Sequence, residues 1–222
     1  MKNIFRLTFI TALIFLAFPL QAQDFLSAAK IENAVMKKAE IYFRWMQTNP
    51  PPIPLHIEGL PNAYQITPLL YRGGQPTPEG YRALAKRGVK VVVSLRVQSP
   101  DEELIKKAGL VSYHIPINPF LFNNTHARKF FNILENAPGP VYVHCLHGSD
   151  RTGTMIALYR LLYNHWNRDR ALRELKSARF GFHPVFANLP AYIQHVRLTD
   201  LQTHPLVYTP QAIPVSAMPN SL

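Results

Sequence analysis

The residues best suited to chemistry lie in one segment, which reads Pro-Val-Tyr-Val-His-Cys-Leu-His-Gly-Ser-Asp-Arg-Thr-Gly over 140–153. The apolar run before Cys145 predicts a buried strand, and a helix is expected to begin at Arg151. In such a loop the backbone N–H groups of residues 146–151 can converge on one point, where the helix dipole adds positive potential. Gly148 allows the backbone to curl. The segment therefore predicts a binding site for an anion the size of a phosphate.

The same positive field favours a thiolate at Cys145. We expect the pKa of this thiol to be lowered, so that its sulfur is a nucleophile near neutral pH. Arg151 supplies a planar fork that can pair with two phosphoryl oxygens and gains contacts as charge spreads over them in the transition state. The chemistry indicated is phosphoryl transfer to sulfur. A buried, inert cysteine is the alternative, and the agreement of strand, Gly148 and helix favours the catalytic interpretation.

Alternating strands and helices must position this loop. Strands separated by long connections predict an α/β fold with a central, mostly parallel sheet flanked by helices, and such folds bind ligands at the carboxyl ends of their strands. The predicted strands are 69–72, 89–95, 110–117 and 140–144. The predicted helices run from Pro78 to Gly88, from a Ser99-Pro100-Asp101-Glu102 capping box to Gly109, from a Thr125 cap to Asn136, and over 153–166, 168–178 and 189–198.

The two ends of the chain predict export and extensions to the domain. Lys2 and Arg6 precede an apolar run that leads to Ala22, which is the order of a cleavable secretory signal. We expect a signal peptide over 1–22 and a periplasmic or secreted protein with no membrane span after cleavage. An uncleaved N-terminal anchor is the alternative. The remaining segments are an N-terminal helix and Pro-rich connector over 23–63, the α/β domain over 64–203 and a Pro-rich tail over 204–222.

The amino-acid composition limits the class of protein and the kinds of partner and metal site that the chain can have. Of the 222 residues, 47% are hydrophobic and 17% are charged, which excludes a wholly disordered or coiled-coil protein. The formal charge of +11 favours anionic partners, but the basic residues are dispersed and no nucleic-acid motif is present, so no nucleic-acid partner is expected. The single cysteine excludes an internal disulfide and multi-cysteine metal sites, and the histidines lack metal-ligand spacing. We therefore expect no metal site.

The loop motif His-Cys-x-x-Gly-x-x-Arg-Thr-Gly resembles the signature of cysteine-dependent protein tyrosine and dual-specificity phosphatases. The resemblance extends to Tyr71-Arg72-Gly73-Gly74-Gln75-Pro76, to the strand over 91–95 that ends in Arg96, and to the helix through Tyr159-Arg160. It covers roughly residues 64–198. With the predicted signal, the chain is similar to the bacterial periplasmic, TpbA-like type of this family. A dual-specificity-phosphatase-like fold with an added N-terminal helix is implied.

The resemblance also implies residue roles. In this family the cysteine attacks phosphorus and water then hydrolyses the phosphocysteine, with no metal or other cofactor. By position, Cys145 would be the nucleophile, Arg151 the phosphate clamp and Thr152 the residue that stabilises the leaving thiolate, while His144 would tune the cysteine. The loop residues implied to contact the substrate are Leu146, His147, Gly148 and Ser149. The implied partner is a phosphorylated protein.

One departure concerns the general acid. Family members usually carry an aspartate on the loop after the preceding strand, but here that segment reads Ile-Pro-Ile-Asn-Pro-Phe over 115–120, and Asn118 cannot donate a proton as an acid. Asp150 is the candidate instead. Its place resembles the Cys-x-x-Gly-x-Asp-Arg pattern of myotubularins and of bacterial phosphatases that act on phosphoproteins and phosphoinositides. Free aspartate has a pKa of about 3.9, so this role requires a raised pKa or an acidic optimum.

Other functions stay open at this point. Asp150 and the net charge also fit a phosphoinositide or inositol-phosphate phosphatase, although the loop contains no lysine to meet extra phosphates. The missing acid at Asn118 fits a catalytically weak phosphate-binding module, and Asp150 could instead form a salt bridge that orients Arg151. A sulfurtransferase of the rhodanese type also uses a loop cysteine, but it does not call for Arg151 followed by Thr152.

Overall fold

The computed structural model describes residue 45 and residues 50–98 and 101–202. The predicted signal over 1–22, the predicted N-terminal helix apart from Trp45, and the tail over 204–222 lie outside these residues. The Trp45 indole N–H donates a hydrogen bond to the Ile66 carbonyl, at 3.0 Å. Across the described ranges no helix has the length and apolar character needed to cross a membrane.

A single mixed sheet forms the centre of the described part of the chain. Its strands are β1 (Ile53–Pro54), β2 (Tyr64–Thr67), β3 (Leu70–Gly73), β4 (Val91–Ser94), β5 (Val111–His114) and β6 (Val141–His144). Their order in the sheet is β1-β2-β3-β6-β4-β5. β2 pairs antiparallel with both β1 and β3, whereas β3, β6, β4 and β5 are parallel to one another. The expected α/β class with a mostly parallel sheet is therefore confirmed.

The carboxyl ends of the four parallel strands lie level with one another. His144 of β6 pairs with Gly73 of β3 on one side and with Ser94 of β4 on the other, and Ser94 pairs with His114 of β5. β6 is an inner strand, as its fully buried Val-Tyr-Val-His sequence requires. The chain that leaves β6 at Cys145 thus emerges at the centre of the edge where α/β folds bind ligands.

Helices cover both faces of the sheet, because side chains of the parallel strands alternate between two apolar clusters. On one face Tyr71, Val92 and Tyr142 pack with helix α1 (Pro78–Lys86) and helix α2 (Glu102–Lys107). On the other face Val91, Val93 and Val143 pack with the four later helices. These are α3 (Asn124–Asn136), α4 (Asp150–Tyr163), α5 (Arg168–Leu175) and α6 (Asn188–His195).

Helix starts differ from the sequence predictions by one or two residues. The N-cap of α2 is Asp101, which makes no side-chain capping bond, and Ser99 of the predicted capping box lies outside the described residues. The N-cap of α3 is Asn123, whose side chain accepts from the Thr125 N–H and which forms a capping box with His126, so the predicted Thr125 cap is wrong. Helix α4 begins at Asp150, one residue before the predicted start, and places a carboxylate in its first turn.

Strands β1 and β2 were not predicted. The segment before residue 64 contains so many prolines that it indicates an extended connector, yet Ile53–Pro54 pairs with β2 and the Leu55, Leu60 and Ala63 side chains are buried. Pro54 is compatible with this place because β1 is an edge strand and need not donate on both sides. The sheet therefore begins earlier in the chain than the pattern of apolar runs indicates.

Candidate active site

The site is built where strand β6 meets helix α4. The buried strand ends at His144, and Cys145, only 1% exposed, forms the floor of the loop that follows. Ser149 is the N-cap of α4 but has a helical backbone conformation and makes no side-chain capping bond. The N-terminus of this 14-residue helix is therefore left without a side-chain cap at the loop, where its dipole favours an anion.

The carbonyl groups of residues 146–150 fix the direction of the loop backbone. In a trans peptide each C=O points away from the N–H that follows it, so the direction of the carbonyls fixes that of the N–H groups. Five successive carbonyls accept hydrogen bonds from residues outside the loop, so the N–H groups of residues 147–151 point the opposite way. The bonds are Gln75 N to Leu146 O (3.0 Å), Asn62 Nδ2 to His147 O (2.9 Å), Arg72 Nη2 to Gly148 O (2.6 Å), Gly153 N to Ser149 O (2.9 Å) and Thr154 Oγ1 to Asp150 O (2.8 Å).

Gly148 is required by the path of this loop. Its φ is +76°, a conformation that L side chains rarely adopt, and a Cβ there would lie 2.4 Å from the Gly73 carbonyl carbon. The loop can thus lie against the turn after β3 only with glycine at this position. Leu146 and His147 are exposed at the mouth, whereas Gly148 and Ser149 are buried. The four predicted substrate-binding residues therefore share one loop but differ in access.

Arg72 supports the loop from the interior of the protein. It is 1% exposed, and its guanidinium lies 4.0 Å from the Phe180 ring centroid while it donates to the Gly148 carbonyl. Burial lowers the pKa of Arg72 to about 10, and the negative charges of Glu174 and Cys145 oppose that shift. The side chain is therefore cationic at neutral pH and contributes a positive charge near the sulfur. The resemblance covered Arg72 but assigned it no role.

Arg151, Thr152 and His144 flank the cysteine in different ways. The Arg151 guanidinium is half-buried and donates to the carbonyls of Leu95 and Ile117, both at 3.3 Å, which places it at the carboxyl edge of the sheet. The buried Thr152 hydroxyl has no hydrogen-bond partner among the described residues, so it is available to a thiolate. His144 Nδ1 lies 3.2 Å from the carbonyl oxygen of Cys145. Burial lowers the pKa of His144 to about 4, so this imidazole is neutral at pH 7.

Asp150 is held by a residue that the sequence did not single out. Its Oδ1 accepts from the His183 backbone N–H at 2.8 Å, and its Oδ2 lies 2.9 Å from His183 Nδ1. No local pattern links two residues 33 positions apart, so only the fold shows this pair. The Asn118 side chain, by contrast, accepts from the Phe120 N–H and caps a short 3₁₀ turn over Pro119–Leu121.

An arc of rings borders the mouth of the loop; we call Phe120, Phe186 and His183 the rim arc. The ring centroids of Phe120 and Phe186 are 5.1 Å apart, those of Phe186 and His183 are 6.4 Å apart, and His183 is 5.4 Å from His147 of the loop. Phe120 is 57% exposed. The rim arc therefore gives the entrance to the anion site aromatic surfaces. No cluster of three metal-ligating side chains occurs in the described ranges.

Comparison with known proteins gives the family. The family described as DSP-PTPase phosphatase fused to NAD+ kinase matches residues 62–185, which include the whole loop. The chain belongs to this phosphatase family. The dual specificity protein phosphatase TpbA of Pseudomonas aeruginosa is 28% identical over 143 residues, which are 64% of this chain and 65% of TpbA. The chain thus spans just under two thirds of the length of that relative.

Solved structures support the same assignment for this phosphatase-family member. The crystal structure of P. aeruginosa TpbA matches it with a TM-score of 0.61 and 26% identity, over 68% of this chain and 92% of the other. A cysteine-to-serine variant of TpbA in complex with phosphotyrosine matches with a TM-score of 0.59 and 25% identity, over 66% and 96%. The resemblance to TpbA-like dual-specificity phosphatases and the class of cysteine-dependent phosphatase are therefore confirmed.

Proposed function

We propose that this protein hydrolyses phosphate monoesters, with phosphotyrosine as its preferred substrate and phosphoserine or phosphothreonine as further ones. The observation that carries the proposal is the loop between Cys145 and Arg151. Its carbonyls accept hydrogen bonds from residues outside the loop, so that its N–H groups point away from those donors and are free to bind an anion over Cys145. An anion-binding loop without a nucleophile would be a binding site alone. With the cysteine at its floor, the loop supports group transfer.

The reaction proceeds in two steps. The Cys145 thiolate attacks phosphorus, an S–P bond forms, and the bond between phosphorus and the leaving oxygen breaks. The inward N–H groups and Arg151 stabilise the charge that spreads over the phosphoryl oxygens. Water then attacks phosphorus, the S–P bond breaks, and inorganic phosphate is released while Thr152 donates a hydrogen bond to the returning thiolate. We assign the proton transfers of both steps to Asp150 together with its hydrogen-bond partner His183. Neither the phosphoryl transfer to sulfur nor the hydrolysis that follows needs a cofactor.

The rim favours aromatic substrates. Phe120 and Phe186 give the entrance flat apolar surfaces that suit a phenyl ring, and neither the loop nor residues 118–122 and 183–186 contain a lysine. The TpbA variant that matches this fold was solved with phosphotyrosine, which supports the same preference here. An inositol phosphate, the alternative suggested by Asp150 and the net charge, carries several phosphates, and the Phe120 and Phe186 rings offer them no positive charge.

The first experiment is turnover of 4-nitrophenyl phosphate by the purified protein in EDTA, with Cys145→Ser as the matched variant. We expect turnover by wild type, none by Cys145→Ser, and retained binding of a phosphotyrosine peptide by that variant. An inactive wild type that still binds vanadate would make the loop a phosphate-binding module. Faster hydrolysis of inositol phosphates than of phosphotyrosine peptides would establish the alternative substrate class.

We also propose that the protein is exported. The basic residues Lys2 and Arg6, the apolar run and Ala22 support cleavage after residue 22. Expression of the full chain with a C-terminal tag in a Gram-negative host tests this, because export predicts a periplasmic protein whose N-terminus is Gln23. Recovery from the cytoplasm with Met1 intact would contradict export, and recovery from membranes with an uncleaved segment would establish the anchor.

A further inference from the structure

The Asp150 carboxylate is occupied on both of its oxygens by His183. The backbone N–H of His183 reaches Oδ1 and the imidazole Nδ1 reaches Oδ2, at 2.8 and 2.9 Å. An ionised carboxylate only accepts hydrogen bonds, so Nδ1 carries the proton that is shared with Oδ2. The Asp150 side chain is 7% exposed, whereas that of His183 is 47% exposed. With Nδ1 fixed on the buried carboxylate, Nε2 is the nitrogen on the accessible side of the ring.

The imidazole also lies where a leaving group must pass. In phosphoryl transfer the attacking and leaving atoms are roughly in line, so the leaving oxygen points away from the Cys145 sulfur and toward the mouth of the loop. His183 borders that mouth, with His147 of the loop on one side and Phe186 of the rim on the other. Asp150, at the first residue of α4, lies against the inner side of this ring.

We propose that His183 is a catalytic residue, the proton donor to the leaving group, and that Asp150 is the carboxylate that holds it. This inference rests on the proposed phosphatase function and deepens it. As the S–P bond forms and the P–O ester bond breaks, Nε2–H of the imidazolium transfers its proton to the leaving oxygen and the ring becomes neutral. When water attacks the phosphocysteine, Nε2 takes the proton of that water, which restores the imidazolium. The Asp150 carboxylate accepts the hydrogen bond of Nδ1–H in both steps, and this bond fixes the ring orientation.

A pair of substrates that differ in leaving group tests this role. 4-Nitrophenyl phosphate expels a weakly basic phenolate that hardly needs a proton, whereas phenyl phosphate expels a more basic one that does. For His183→Gln we expect kcat/KM to fall roughly 10²-fold to 10³-fold with phenyl phosphate and less than about tenfold with 4-nitrophenyl phosphate. Asp150→Asn should show the same selective loss. His56→Gln, an exposed histidine between β1 and β2, is the control and should match wild type on both substrates.

The alternative outcomes are distinct. Equal losses on both substrates, or no loss, for His183→Gln would overturn the inference, because a residue that only supports the loop cannot distinguish leaving groups. If Asp150→Asn alone is selective, Asp150 donates the proton directly. A wild-type protein without turnover on either substrate would instead defeat the proposed phosphatase function, and so the two failures are separable.

Discussion

The mouth of the site joins two regions that are built differently. Residues 145–151 form a loop whose carbonyls are bound by donors from three other parts of the chain and from helix α4. Phe120 and Phe186 of the rim arc have ring contacts instead, and Phe120 and the neighbouring Val185 are 57% and 67% exposed. A phosphoryl group has the same shape in every monoester, whereas what is attached to it varies. The difference indicates a fixed site for the common group and an adaptable entrance for the variable one.

We expect the largest loss of activity from substitution of Arg151, whose cationic side chain belongs to the loop itself. Replacement of Arg151 by alanine removes the planar fork from the transition state, and we expect kcat to fall roughly 10³-fold. Arg151→Lys should recover little of this, because a lysine cannot pair with two oxygens at once. Steady-state kinetics with 4-nitrophenyl phosphate measure both variants. A lysine variant within tenfold of wild type would show that charge alone, rather than the fixed geometry of the loop, is what matters.

The second prediction compares two buried arginines. Arg72→Met removes the donor to Gly148 and the positive charge near the sulfur, so we expect kcat/KM to fall roughly 10²-fold, about the energy of a hydrogen bond from a charged donor. Arg160 is the matched control, because it is equally buried but pairs with Glu174 and Asn164 rather than with a carbonyl of the loop.

For Arg160→Met we expect a loss of about 3 to 5 kcal/mol in the free energy of unfolding, since a buried pair is broken, with little change in the activity of the folded fraction. Urea denaturation and kinetics on both variants separate stability from catalysis. If Arg72→Met lost only stability, the hydrogen bond from Arg72 to Gly148 would have a structural role alone. The difference between a fixed loop and an adaptable rim would then weaken.

These contrasts also explain what could be predicted from the sequence. Cys145, Gly148 and Arg151 are neighbours along the chain, and the strand before them and the helix after them have strong local patterns, so both the loop and its chemistry can be inferred. The parallel strands are predictable for the same reason, because each is a continuous apolar run. The exact helix caps cannot be predicted, because several candidate cap residues compete within two or three positions, as Asn123 and Thr125 do.

Contacts between distant segments had no local pattern to reveal them. Asn62 and Arg72 reach the loop from 85 and 76 residues away, and His183 reaches Asp150 from 33 residues away. The residue types alone do not indicate these contacts, and only the packing of the turn before β2, of β3 and of the segment after α5 against the loop brings them together. The rim arc was missed for the same reason, because its rings come from the connections after β5 and after α5.

A third prediction concerns the acid sensitivity of the rigid region. Burial lowers the pKa of His144 to about 4, below the value of about 6.5 for histidine in an unfolded chain. Between these values the unfolded state binds one more proton than the folded state, so stability falls as the pH is lowered through this window. The loss reaches about 3 kcal/mol near pH 4. Urea denaturation at pH 7 and pH 4.5 should show a smaller decrease for His144→Gln than for wild type, whereas the exposed His56→Gln should keep the wild-type decrease.

The smallest effect is expected at the rim. Phe120→Ala removes one of two contacting rings at the entrance, and an aromatic contact is worth about 0.5 to 1.5 kcal/mol, so KM for a phosphotyrosine peptide should rise roughly twofold to tenfold with kcat nearly unchanged. Competitive inhibition by inorganic phosphate is the internal control and should not change, because phosphate occupies the loop alone. A fall in kcat, or weaker inhibition by phosphate, would mean that Phe120 acts on the loop itself. The fixed loop and the adaptable entrance would then be one coupled unit rather than two regions with separate tasks.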